Sequence, residues 1–102
     1  MADYFLSIGD SLRALGLRAQ QLRLLRNLTQ AELGKNAGVG IKVVRRFESS
    51  GQGSMESIVR IAVALGAQEA FGKLFEAPPF TSLAQAESQA AIVTRKRARK
   101  RR

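Results

Sequence analysis

The chain has 102 residues and a formal net charge of +9, with 45% hydrophobic residues, no Cys and no His. That is enough for one compact core and a tail, and it leaves out a disulfide framework, thiol chemistry, a zinc site of the usual kind and the commonest general base. No stretch approaches the roughly 18 apolar residues of a membrane-spanning helix.

In chain order, "MADYFLSIGD" lacks a basic segment followed by a long apolar run, so it does not read as a secretory signal, and a cytoplasmic protein is the default. Asp10 or Ser11 can cap a first long helix whose Leu12, Leu15, Ala19, Leu22 and Leu25 recur every three or four residues, ending near Arg26 to Leu28. Thr29-x-x-Glu32 is a capping box for a short second helix, Gln30 to Asn36, which stops at Gly38. A third helix is predicted from near Gly40 to Glu48 or Ser49. Val43, Val44 and Phe47 form its apolar stripe, and Lys42, Arg45 and Arg46 point elsewhere. "SSGQGS" is a loop by composition. Ser54 caps a fourth helix with Met55, Ile58, Ile61, Ala62 and Leu65 on one stripe, closed by Gly66. A fifth, "AQEAFGKLFE", carries Phe71, Leu74 and Phe75, either as core or as a dimer surface. Pro78 and Pro79 then break the chain.

Charge divides the sequence at the same place. Residues 1–76 hold ten basic and seven acidic residues, whereas 77–102 hold seven basic residues against Glu87. All seven (Arg95, Lys96, Arg97, Arg99, Lys100, Arg101 and Arg102) fall in the last eight positions. The expected organisation is an all-α domain over 1–76 followed by a linker and basic tail over 77–102 that is disordered in isolation, with at most a nascent helix. Such a charge pattern calls for a polyanionic partner.

The second and third helices, joined by a short Gly-containing turn, make a helix-turn-helix pattern. Ala31, Leu33, Ala37, Val39 and Val44 can hold the two at a steep angle, so that the second stands clear of the body and fits a major groove. "LTQAELGKNAGVGIKVVRRFESSG" resembles the helix-turn-helix of the Cro/CI-type (XRE family) repressors, and the likeness runs from about Leu12 to Phe75. It rests on "LTQAEL", the turn "AGV", a glutamate after the recognition helix and "IVRIAVALG". The resemblance implies a five-helix lambda-repressor-like domain that binds double-stranded DNA as a homodimer on a palindromic operator. Two positions depart from the family pattern. Gly34 stands where Ala is usual, weakening that helix by up to about 1 kcal/mol. Ser50 precedes Gly51 where a single Asn/Asp-Gly or Glu-Gly turn is common, which would displace the loop after the third helix.

The resemblance also implies site residues. Ile41, Lys42, Arg45 and Arg46 lie where this family reads base edges, the cations suiting guanine and Ile41 a thymine methyl. Gln30, Lys35, Ser49 and Ser50 would contact phosphates, Gln30 with help from backbone N–H groups at its helix N-terminus. Arg23 and Glu48 match a buried scaffold pair. Each assignment has a plainer rival: a solvated helix face for the cations, simple capping for Gln30, and a nonspecific polybasic arm or a partner-binding segment for Arg95 to Arg102. The Phe-rich fifth helix, the proline break and the basic end are similar to HipB-type proteins, which sit beside HipA-like kinase toxins and repress their own operon. Enzyme activity, a cofactor and a small-molecule substrate are not expected, since no acid–base constellation or Gly-rich phosphate loop is present; nor is a metal, without Cys or His, nor a membrane role, since the basic tail has no apolar helical face or lipidation motif. A protein-binding adaptor or antitoxin subunit, or a stand-alone phage-type repressor, are the alternatives.

Overall fold

A computed structural model describes residues 7–79 and 83–100, with side chains as far as Arg95. Among the described residues six α-helices follow one another: α1 Ile8–Leu25, α2 Gln30–Ala37, α3 Ile41–Ser50, α4 Met55–Ala64, α5 Gln68–Gly72 and α6 Leu83–Lys100. Among the described residues there is no strand, and no helix is long and apolar enough to cross a membrane. The fold is the all-α helix-turn-helix arrangement expected from the sequence.

Local chemistry explains most boundaries. α1 begins earlier than expected, because Ser7 and not Asp10 or Ser11 is its N-cap. The Ser7 hydroxyl accepts from the Asp10 N–H at 3.1 Å while the Asp10 carboxylate accepts from the Ser7 N–H at 3.4 Å. Asp10 also pairs with Arg13. That guanidinium, and after it the Ser7 groups, hold the Asp10 carboxyl below the usual range. Thr29 and Glu32 form the expected capping box of α2, and Gly38 ends that helix in the left-handed region at φ 71°. α3 continues to Ser50, because the Ser49 and Ser50 hydroxyls both donate to the Arg46 carbonyl and Gly51 (φ 73°) terminates it. Ser54 caps α4 as expected.

The core is small. Leu33 and Ala37 of α2, Val44 and Phe47 of α3, Ile61 of α4 and Leu65 are buried, with Ala19, Leu22, Val39, Ile58 and Ala64 packed against them. Burying apolar area of this kind stabilises by roughly 25 cal/mol per Å2, so each large side chain here matters. The crossing of α2 and α3 is held by Leu33, Ala37 and Val44 as expected, but Ala31 is exposed and takes no part. Its small-residue role falls to Gly34, where a Cβ would lie 2.8 Å from the Val39 carbonyl oxygen. The glycine that costs α2 propensity therefore admits the turn beneath it.

α1 keeps Leu12, Ala19 and Leu22 of the predicted stripe against the body but not Leu15 or Leu25. Leu12, Gly16, Ala19 and Arg23 face inward, whereas Leu15 is 39% and Leu25 79% exposed. The cause is a close backbone crossing of α1 over the end of α3. A Cβ on Gly16 would collide with the Phe47 carbonyl oxygen and lie 3.0 Å from that of Glu48, and one on Gly51 would collide with Leu12. Helix rotation is set by where the backbones can meet, and a leucine cannot occupy that point.

Three expectations near the C-terminal side are corrected. Met55 is 61% exposed and leaves the α4 stripe. α5 is only five residues long, and Leu74 (51%) and Phe75 (93%) are exposed while Phe71 is half-buried, so Leu74 and Phe75 are not core. Gly72 disfavours helix, and Phe75 sits at φ 65°, which stops the segment from presenting one continuous face. Where a linker and tail with no more than a nascent helix was expected, 83–100 is an α-helix of 18 residues. Ala, Gln, Arg and Lys are strong helix formers, and they outweigh the lack of an apolar face. Leu83, Ile92 and Val93 are all more than half exposed. The side chains of Lys96, Arg97, Arg99 and Lys100, together with Arg101, Arg102 and the N-terminal "DYFL", lie outside the described residues.

Candidate nucleic-acid interface

α3 separates its two faces cleanly. Val44 and Phe47 are buried and Val43 is half-buried, whereas Lys42, Arg45 and Arg46 are exposed on the side turned from the core. The i, i+3 spacing of Val44 and Phe47 anchors the helix, and the cations fall on positions that this anchoring leaves outward. Ile41 is half-buried, so only part of its side chain is available for apolar contact. Among the described residues Lys42 and Arg45 have no hydrogen-bond or ion-pair partner. Arg46 Nη2 donates to Gln52 Oε1 at 3.0 Å. The N-cap of α3 is Gly40, which makes no side-chain cap, so the helix offers uncompensated N–H groups at the end that carries Ile41 and Lys42.

Behind this face sits a buried ionic hub. Arg23 is 7% and Glu48 6% exposed. Arg23 Nε donates to Glu48 Oε2 at 2.6 Å and its Nη2 to Glu48 Oε1 at 3.0 Å, a two-pronged pair, while Nη1 donates to the Leu28 carbonyl at 2.8 Å. Gln30 Nε2 adds a further donor to Glu48 Oε1 at 3.0 Å. The Glu48 carboxylate on α3 thus holds the end of α1 and the first residue of α2, and Arg23 in turn holds the carbonyl of the turn between them. No buried side-chain nitrogen or oxygen among the described residues lacks a partner.

The four phosphate candidates are differently placed. Lys35 is exposed and unpartnered among the described residues. Gln30 is half-buried and tied to Glu48, which leaves one amide hydrogen and the amide oxygen of the side chain. The N-terminus of α2 is already occupied in part: Glu32 Oε1 accepts from the Thr29 N–H at 2.8 Å, and the Thr29 hydroxyl accepts from the Glu32 N–H at 3.0 Å. The Thr29 N–H, and then its hydroxyl, hold the Glu32 carboxyl below its usual range. An approaching phosphate therefore meets a carboxylate beside the free Gln30 and Ala31 N–H groups. Ser49 and Ser50 each engage their single hydroxyl hydrogen with the Arg46 carbonyl, at 3.2 and 2.8 Å, so either must exchange that bond to donate elsewhere. Both hydroxyls knit the end of α3 instead.

Sequence reasoning passed over Gln52, which sits in a loop assigned by composition alone. Its signal was position: a polar side chain just beyond the glycine that ends a basic helix. No group of Asp and Glu among the described residues is arranged to hold a metal ion. The family model described as helix-turn-helix matches residues 20–71, which spans the end of α1 through α5 and contains every base-edge candidate. No curated protein matches the chain.

Proposed function

We propose, from the premise that this chain belongs to the helix-turn-helix family and is an XRE-type DNA-binding transcription regulator, that it represses its own operon from a palindromic operator. The observation that carries this reading is α3, which buries Val44 and Phe47 while it turns Lys42, Arg45 and Arg46 outward. In the proposed complex α3 enters the major groove. Lys42, Arg45 and Arg46 donate to base edges, and Ile41 makes a small apolar contact. Lys35 and Gln30 hold the backbone, and Arg95 to Arg102 add sequence-independent attraction. A two-fold dimer would place half-sites about one helical turn, roughly 34–36 Å, apart.

The finer reading is that of a HipB-type component of a bacterial toxin–antitoxin operon, acting in the cytoplasm with a HipA-like kinase as second partner. What supports a protein partner is the apolar surface left in solvent at Leu24, Leu25, Leu74 and Phe75. The test is binding of the purified chain to its own upstream DNA and to scrambled DNA of equal length across a salt series. A preference of about a thousand-fold, with a log–log salt slope near −5 if about six phosphates are neutralised, is the expected result. Equal binding to both would overturn the repressor reading. A weak salt response would favour the adaptor alternative.

A further inference from the structure

On the basic face of α3, Arg46 differs from its neighbours in being held at both ends. Its guanidinium donates through Nη2 to Gln52 Oε1 at 3.0 Å. Its carbonyl accepts the Ser50 hydroxyl at 2.8 Å, and the Ser50 oxygen in turn accepts the Gln52 N–H at 3.4 Å. Gly51, at φ 73°, donates its N–H to the Phe47 carbonyl at 2.7 Å and turns the chain back so that Gln52 stands beside the helix it has just left. The result is a closed circuit in which the backbone of Arg46 places Gln52 and the side chain of Gln52 places that of Arg46.

We infer that Gln52 is a positioning residue for base recognition, holding Arg46 ready to read one guanine in each half-site. This rests on the reading of α3 as the groove-entering helix. A guanidinium has two edges able to make paired hydrogen bonds, Nε with Nη2 and Nη1 with Nη2, and the two hydrogens of Nη2 belong one to each. Whichever hydrogen the Gln52 amide takes, the other edge keeps both of its donors for guanine O6 and N7. An arginine on a flexible stem loses rotamer freedom when it docks, and one already held loses less, so the tether raises affinity where Arg46 meets its base and nowhere else. Both side chains are exposed in the free protein, and exclusion of water at a DNA interface strengthens the bond between them.

The test is selection of bound duplexes from a random-sequence pool by the full chain. The preferred duplex and its single-base variants are then measured with Gln52→Ala, Gln52→Glu, Arg46→Ala and the Gln52→Ala/Arg46→Ala double variant. The wild-type chain should prefer guanine at one position per half-site by about tenfold or more. Gln52→Ala should lose most of that preference at the same position, keep preference at all others, and have no further effect once Arg46 is Ala. Gln52→Glu, which still accepts from Arg46, should weaken binding to every duplex through its charge and retain the guanine preference. Equal loss on all duplexes with Gln52→Ala would make Gln52 a phosphate contact and overturn the inference. An unchanged guanine preference, or the same loss in the Arg46→Ala background, would overturn it too. A wild-type chain that enriches no sequence removes the repressor reading as well. A motif whose guanine preference survives Gln52→Ala removes this inference alone.

Discussion

Glu48 shows how much a single side chain decides here, since it accepts from Arg23 of α1 and Gln30 of α2 while itself belonging to α3. Removing one partner of a buried, paired charge leaves the other uncompensated, so Arg23→Ala should lower unfolding free energy by about 3–5 kcal/mol in chemical denaturation. In a domain this small that is a large share of the total. Thr29 carries a smaller effect of a different kind. Thr29→Ala removes the hydroxyl cap of α2 at a cost of about 1 kcal/mol. The Glu32 carboxyl then loses one of the two groups that keep it acidic, so its titration midpoint, read by NMR, should rise toward the ordinary glutamate range. The sign of the pH effect follows from that depression. Stability from the capping box is fully present above the ordinary carboxylate range and is lost as pH falls through the lowered Glu32 value. Helicity should therefore hold steady from neutral pH down to mild acid and fall only on stronger acidification.

At the level of elements, α3 is presented by a backbone contact. α1 lies across the end of α3 where Gly16 faces the Phe47 and Glu48 carbonyls and Gly51 faces Leu12. Gly16→Ala gains helix propensity, about 1 kcal/mol, but places a methyl group onto a backbone oxygen that cannot move without shifting α3. Overpacking of this kind costs about 1–3 kcal/mol or more, so the variant should melt at lower temperature despite its better helix former. Unchanged or higher thermal stability would mean that α1 and α3 slide apart freely. Gly34 illustrates the same competition within α2. Its residue type signalled only a weaker helix, and its environment shows that the Val39 carbonyl fills the space of the missing side chain.

Across the whole molecule, charge and fold are unevenly divided. Residues 1–76 carry ten basic and seven acidic residues, and the larger cationic excess gathers in the last eight positions, which the far end of α6 enters. Basic side chains spaced three and four apart along a helix repel one another, and a polyanion relieves that repulsion. Deletion of Arg95 to Arg102 should weaken binding to operator and scrambled DNA by a similar factor. It should also reduce the log–log salt slope by about 0.9 for each phosphate that is no longer neutralised. An identical slope before and after deletion would show that the segment does not touch phosphate, leaving a protein partner as its use.

Much of this was legible from residues in order. Capping boxes, turn glycines and the Val44–Phe47 stripe are local, with partners within four residues, so α2, α3 and the start of α4 follow from short-range geometry, and the outward Lys42, Arg45 and Arg46 follow from the inward valine and phenylalanine. What tertiary structure decided are contacts between residues distant in sequence. These are the packing of α1 that buries Gly16 and exposes Leu25, and the bond that draws Gln30 to Glu48 across eighteen residues. Periodicity shows that a helix has an apolar side; it does not show which point on that side another backbone can approach. That point is set by three-dimensional packing, where one missing methyl group outweighs a favourable leucine.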